Sequence, residues 1–297
     1  MSLRPQTFDN VIGQEGVVER LRISIAGCKT SSTAMPHVLI DGPPGLGKTT
    51  IASAIASELD VNMYTVNAAN VRNIKSILPY LMTMTLNSVL FIDEIHRLPK
   101  LVEEFLYPVM EDFKMDLVIE DNPESIDIPA FTMVGATTSG GSLSQPFYDR
   151  FTIKEHLSFY TPDVLAKLAR SNCNSMDITI SDADLISIAK RSKGTPRILN
   201  ARLQWYKSYT SYYPEEKDVE KIFAVQGIDE NGFDENDTNY LNTLKKHRGN
   251  PLGLKAMSSL TGIAMETIEN SIEPYMIRKG YVRRTQRGRV LGKVNGV

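Results

Sequence analysis

Apolar positions change their period along the chain, and the changes divide it into regions. Between 14 and 26, Val17, Val18, Leu21 and Ile25 recur three to four residues apart, the spacing of one buried helical face. VLID (38–41) is then short and apolar up to its aspartate. After a glycine-rich stretch, Ile51, Ile55 and Leu59 return at four-residue intervals. Two more continuous runs, SVLFIDE (88–94) and FTMVGATT (131–138), have the unbroken hydrophobicity of strands buried on both faces. Strand and helix patterns alternating in this way predict an α/β fold with a parallel sheet and its chemistry at the strand C-termini. Within 115–129, Leu117 and Ile119 alternate with polar neighbours, as do Ile126 and Ile128, on either side of DNPES. That pattern predicts a β-hairpin projecting from the sheet.

Beyond about residue 156 only helical patterns remain. SDADLISIAKRS (181–192) begins with Ser181 as a cap, and TPRILNARLQWYKSY (195–209) with Thr195 followed by Pro196 at the first helical position. The acidic, glycine-bearing GIDENGFDEND (227–237) reads as a linker. Helical patterns over 236–247, 252–260 and 264–279 then precede two short extended runs around RRTQRGR, the order of a winged helix-turn-helix. The expected domains are 1–155, 156–230 and 231–297.

Composition narrows the class. The chain has 297 residues, 42% of them hydrophobic and 23% charged, with a net charge of −2, which suits a soluble protein with a substantial core. No apolar run approaches the roughly 18 residues that cross a bilayer, and MSLRPQTFDN lacks the apolar segment of a secretion signal, so the expectation is a cytoplasmic protein without membrane contact. Cys28 and Cys173 are only two, neither near another Cys or a His at metal-ligand spacing, which argues against a disulfide framework or a zinc site and for two small buried apolar residues. Charge is uneven. No acidic residue follows Glu273, whereas Arg278, Lys279, Arg283, Arg284, Arg287, Arg289 and Lys293 all do. A polyanion contact is therefore expected at the C-terminal end.

GPPGLGKT (42–49) fits G-x-x-x-x-G-K-[ST] between a predicted strand and helix, the context that the phosphate-binding loop requires. Its glycines let backbone N–H groups approach phosphates at the positive end of the following helix. Lys48 is placed to reach the β- and γ-phosphates, and the Thr49 hydroxyl to ligate Mg²⁺. Asp93 and Glu94 close a strand expected beside this loop. Two carboxylates at the end of a buried strand are costly unless they serve a cation or a reaction, so Asp93 is assigned to Mg²⁺ and Glu94 to the attacking water. Thr137 and Thr138 end the next strand with hydroxyls that suit a γ-phosphate sensor. Arg150 lies just past the sheet, and Arg197 sits in the first turn of a helix, where a cation suggests an anionic partner.

The ordered set LRPQTFDNVIGQE (3–15), GPPGLGKTT, LFIDEIHRL, LYPVMEDF (106–113), GATT, DRF (149–151), FYTP (159–162), KGTPRI (193–198) and EPYMIRKGYVRRTQRGRV (273–290) closely resembles the bacterial RuvB family. These are AAA+ motors that drive branch migration of Holliday junctions. The resemblance implies a P-loop NTPase domain, a helical lid and a C-terminal winged helix, with ATP or ADP and Mg²⁺ as ligands. It places Leu3, Arg4 and Ile12 on the adenine side, with Tyr160 and Pro196 closing the site from the lid. Gly45, Gly47, Lys48, Thr49 and Thr50 hold phosphates, Thr49 and Asp93 serve the metal, Glu94 activates water and Thr138 senses the γ-phosphate. Glu111, Asp112 and Phe113 match a stretch close to the nucleotide. Arg150 resembles the arginine finger that reaches a neighbouring subunit's ATP in a hexameric ring, and Arg197 the second sensor. Arg284 and Arg289 fall on the wing arginines that touch duplex DNA.

Some positions depart from the family. The hairpin is shorter, with the acidic tip EDNPES (120–125), where relatives dock on the junction-binding protein RuvA. Ser139-Gly140-Gly141 replaces a usual basic residue after GATT, and Tyr148 stands where arginine is common. These changes leave the ATP chemistry intact and open the choice of partner: a RuvA-like protein through 115–129, another junction-binding protein or none, as in a phage or mobile-element version. Two alternative functions are a clamp-loader-like AAA+ ATPase and a nucleotide-switched DNA-binding scaffold.

Overall fold

A computed structural model describes residues 7–119, 122–247 and 250–292. The chain separates into two compact units, one of Met1–Gly42 with Leu46–Ser158, the other of Phe159–Val297 together with Pro43–Gly45.

In the first unit the elements run α1 (Glu15–Ser31), β1 (Val38–Asp41), α2 (Lys48–Leu59), β2 (Met63–Asn67), α3 (Ile74–Met82), β3 (Val89–Asp93) and α4 (Lys100–Glu111). They continue through the hairpin β4 (Lys114–Ile119) and β5 (Asn122–Asp127), then β6 (Thr132–Thr137), α5 (Gln145–Asp149) and β7 (Ile153–His156). Val17, Val18, Leu21, Ile25 and Cys28 are the buried face of α1. The sheet is parallel with order β2-β3-β6-β1-β7. Its central members β1, β3 and β6 are the continuous apolar runs. Residues 132–137 of β6 are buried throughout. β2 and β7 escape the hydrophobicity pattern because they are the sheet edges. Each buries only one residue fully, so neither needs an apolar run. β6 lies between β1 and β3, so the Thr137 strand stands between the two loops, and the Asp93 strand is one strand removed from β1 rather than next to it.

A hairpin forms, with Met115 opposite Ile126 and Leu117 opposite Glu124, but its second strand already begins at Asn122, within the DNPES stretch expected between the strands. Its apolar side faces inward: Met115 and Ile128 are buried, and Leu117 and Ile126 pack against the core. Val118 is the hydrophobic side chain it exposes among the described residues.

The second unit contains α6 (Pro162–Met176), α7 (Asp182–Arg191), α8 (Pro196–Tyr212), α9 (Val219–Ala224), α10 (Glu235–Lys246), α11 (Leu254–Thr261), α12 (Met265–Thr267), α13 (Glu273–Arg278), β8 (Val282–Thr285) and β9 (Gly288–Leu291). Ser181 and Thr195 cap α7 and α8 through their side-chain oxygens. The acidic stretch 227–237 is packed rather than a free linker. Ile228 and Phe233 are buried, Asp234 forms a capping box with Asp237 on α10, and the buried Asp237 carboxylate is ion-paired to Lys193. Burial raises the Asp237 carboxyl against the opposing pull of Lys193. The helical pattern of 264–279 is broken by a π-turn over Ile268–Ile272, just before Pro274, which has no N–H for the helical ladder. Phe233, Tyr240, Leu244, Met257, Ile272, Met276 and Val282 form the core beneath the two-stranded wing β8-β9.

Candidate nucleotide site and wing

The phosphate loop links the end of β1 to the start of α2. Gly42, Gly45 and Gly47 take φ values of 146°, 82° and 100°, the left-handed region that side chains avoid. Gly45 is constrained further. A Cβ there would lie 2.9 Å from Arg197 Cβ, and its carbonyl accepts the Arg197 N–H at 3.3 Å. Lys48 is buried at the mouth of α2, where its ammonium donates to the Gly42 carbonyl at 2.6 Å. Thr49 and Thr50 follow in the first turn of the helix.

β3 ends on Asp93, whose Oδ1 accepts the Glu94 N–H at 3.0 Å. Glu94 itself adopts a left-handed conformation, φ 51°. Strain of this kind concentrates at functional sites. Its Oε2 accepts from Thr138 Oγ1 at 3.3 Å and lies 3.5 Å from His96 Nε2. The other ring nitrogen of His96 is 2.9 Å from Thr137 Oγ1, which also accepts the Ser139 N–H at 2.9 Å. Adjacent strands β3 and β6 thus bring Glu94, Thr137 and Thr138 together, with His96 as the bridge. Sequence reasoning stopped at the two carboxylates, although His96 lies within the same IDEIHRL motif.

Ile12 is in the first unit, and its segment is tied down by Gln14. The Gln14 amide donates to the Ser158 carbonyl at 2.6 Å and its oxygen accepts the Ser158 N–H at 3.3 Å. Leu3 and Arg4 lie outside the described residues. In the second unit the Tyr160 N–H donates to the Gly194 carbonyl at 2.9 Å, and Thr195 caps the turn that presents Pro196 and Arg197.

Arg150 caps α5. Its Nη1 donates to the Pro146 carbonyl at 2.8 Å, its Nε to the Tyr107 carbonyl at 3.4 Å and its Nη2 to Glu111 at 3.0 Å. Asp112 is the C-cap of α4, and Phe113 takes φ 54° as the chain turns into β4.

The first unit matches the model of the Holliday junction DNA helicase RuvB P-loop domain over residues 3–157, and residues 230–295 match that of the RuvB C-terminal winged helix domain. The chain belongs to the RuvB family. It is 40% identical to the Holliday junction branch migration complex subunit RuvB of Rhodopirellula baltica, over 98% of this chain and 82% of that protein. The same identity holds for the RuvB of Nitratiruptor sp., over 97% and 89%. Among solved structures it resembles the Thermotoga maritima RuvB Holliday junction branch migration motor, with a TM-score of 0.89 and 39% identity over 98% of this chain and 96% of that one. Membership, with both RuvB domains matched, sets aside the clamp-loader alternative.

The winged-helix domain of this RuvB relative places its arginines unexpectedly. Arg284 and Arg289 pair across the wing, on the same face as the Val282–Leu291 pair that meets the core. Both reach Glu273, a fully buried carboxylate. Arg284 Nε donates at 2.8 Å and Arg289 Nε at 2.8 Å, and the Tyr240 hydroxyl adds a third bond at 2.8 Å. Burial opposes ionisation of Glu273, but the bonds from Arg289, Tyr240 and Arg284 outweigh it and hold the carboxyl below its usual range. The Arg284 side chain stays half exposed, whereas that of Arg289 is 12% exposed and also meets Glu269. Arg283 and Arg287 are exposed.

Proposed function

We propose that the chain is an ATP-driven motor that moves four-way DNA junctions by branch migration in recombination and repair. The observation that carries this reading is the cluster of Glu94, Thr138, Thr137 and His96 at the ends of β3 and β6, in a chain with the RuvB P-loop and winged-helix domains. A nucleotide-switched scaffold needs binding but not this hydrolytic set. Glu94 is the general base. Thr138 and His96 hold its Oε2, leaving Oε1 to take the proton of the attacking water. Lys48 and the backbone N–H groups through Thr50 hold phosphates. The Thr49 hydroxyl and Asp93 carboxylate are hard oxygen donors that would hold Mg²⁺, and the ion would supply positive charge against the phosphates. Ile12, with Leu3 and Arg4, is assigned to the adenine, and Tyr160 and Pro196 to nucleotide binding by the lid. Arg197 reports nucleotide state to the lid.

Arg150 completes the site of a neighbouring subunit, which requires a ring, a hexamer in this reading. Arg284, whose side chain is half exposed, contacts the duplex backbone through the wing, and Arg289, held by Glu273 and Glu269, backs it from the inner side. Such contacts position without reading sequence, as a motor on any sequence needs. A RuvA-like junction-binding protein docks on the 115–129 hairpin, where Val118 is exposed. The functional domains are 1–155, 156–230 and 231–297. No helix among the described residues is long and apolar enough to cross a membrane, and a cytoplasmic location completes the proposal. The test is ATP turnover with and without duplex DNA. Stimulated turnover that disappears in Glu94→Gln, with nucleotide binding retained, supports the reading. Turnover undiminished in Glu94→Gln refutes it.

A further inference from the structure

Arg150 rests on a platform that a solvated surface arginine would not need. Its guanidinium carbon lies 4.2 Å above the centre of the Tyr107 ring, within the range where a cation gains from an aromatic face. The ring is itself fixed. The Tyr107 hydroxyl lies 3.0 Å from Ser144 Oγ, and Ser144 Oγ donates to Glu103 Oε2 at 2.7 Å. The Ser144 proton is committed to that carboxylate, so the Tyr107 hydroxyl is the donor in the other bond. Glu103 is buried on α4, which roots the chain Glu103–Ser144–Tyr107 in the core of the first unit.

The other partners of Arg150 divide into two kinds. The Pro146 and Tyr107 carbonyls take Nη1 and Nε, fixing the plane of the fork. Glu111 takes Nη2, but its side chain is 65% exposed, so this ion pair is weakened by water and salt. When Glu111 lets go, both N–H groups of Nη2 and the second N–H of Nη1 remain as donors, three of the five that a guanidinium carries. These suit two oxygens of a terminal phosphate.

We propose that Tyr107 is a positioning residue for Arg150. Its ring, locked through Ser144 to Glu103, holds the guanidinium in the pose that reaches a neighbouring subunit's γ-phosphate. The proposal rests on the reading of Arg150 as the arginine finger. Its chemistry follows from preorganisation: a cation already aligned loses no freedom when charge develops on the phosphate.

The experiment is a double-mutant cycle on steady-state ATP hydrolysis by the full chain with duplex DNA, using radiolabelled ATP to read slow variants. Tyr107→Leu should lower kcat about ten- to a hundredfold, the order expected of a misplaced catalytic group, with KM for ATP little changed. Tyr107→Phe keeps the ring, drops the Ser144 tie and should fall between Tyr107→Leu and wild type. In an Arg150→Ala background Tyr107→Leu should cost nothing more, because the cation it serves is gone. An undiminished loss in that background, or wild-type kcat in Tyr107→Leu, overturns the proposal while leaving the finger reading intact. Normal turnover in Arg150→Ala alone removes the finger reading, and this proposal with it. Should Tyr107→Leu fail to fold, the cycle is run with Tyr107→Phe, and additivity with Arg150→Ala then counts against the proposal.

Discussion

Replacing Glu273 by leucine removes one buried carboxylate of similar size and exposes what it was holding. The Tyr240 hydroxyl, buried with its residue at 0% exposure, loses its acceptor, at a cost of about 1–3 kcal/mol. Arg289 keeps its ion pair with Glu269, at 3.1 Å. A charged hydrogen bond lost there costs about 1.5–3 kcal/mol, reduced by the partner that remains. Arg284 is half exposed and regains water, so its share is near zero. Leucine at this site also gains apolar burial that offsets part of the loss. The net expectation is a destabilisation of roughly 3 kcal/mol. In a unit of the size of residues 159–297, each kcal/mol lowers Tm by about 2–4 °C, so the transition of the second unit should move down by roughly 10 °C in calorimetry. A shift under about 2 °C would refute the reasoning, since it would mean the carboxylate contributes no net stability.

The same group predicts a pH dependence. The folded Glu273 carboxyl titrates below its unfolded value of 4.5, so its contribution is present above about pH 4.5 and is lost as pH falls through the folded value. Wild type minus Glu273→Gln in Tm should therefore be largest near neutrality and shrink below pH 4.5; a difference that grows on acidification contradicts this. Arg150→Ala should bind ATP normally and hydrolyse it on the order of 10³–10⁵ times more slowly, and mixing it with Glu94→Gln should restore some turnover if the finger acts in trans. Arg284→Ala leaves Glu273 with Arg289 and Tyr240, so the wing should still fold. Loss of one phosphate contact should lower the slope of log K against log salt by about one. An unchanged slope in fluorescence anisotropy titrations would place the DNA contact elsewhere on the wing.

Much of this architecture was legible because burial on both faces forces continuous apolar runs. That is why β1, β3 and β6 stood out while the edge strands β2 and β7 did not. The phosphate loop was equally clear, since its glycines, Lys48 and Thr49 are adjacent in sequence. What escaped notice depends on long-range pairing. Asp237 looked like linker charge, yet Lys193, which pairs with it, is far away along the chain. The clustering of wing arginines was plain from composition, but the buried carboxylate that receives them lies on α13, and only the β8-β9 register shows that Arg284 and Arg289 share the face of Val282. The partners of Arg150 come largely from α4, separated from it by the whole hairpin.

The central claim is that ATP hydrolysis at this site moves a DNA junction. The most direct test is conversion of a synthetic four-way junction by the purified chain, alone and with a RuvA-type junction-binding protein, using Glu94→Gln as the control. The account predicts ATP-dependent conversion in at least one of these mixtures and none with Glu94→Gln. Intact ATP turnover without conversion in either mixture, or conversion undiminished in Glu94→Gln, would contradict it.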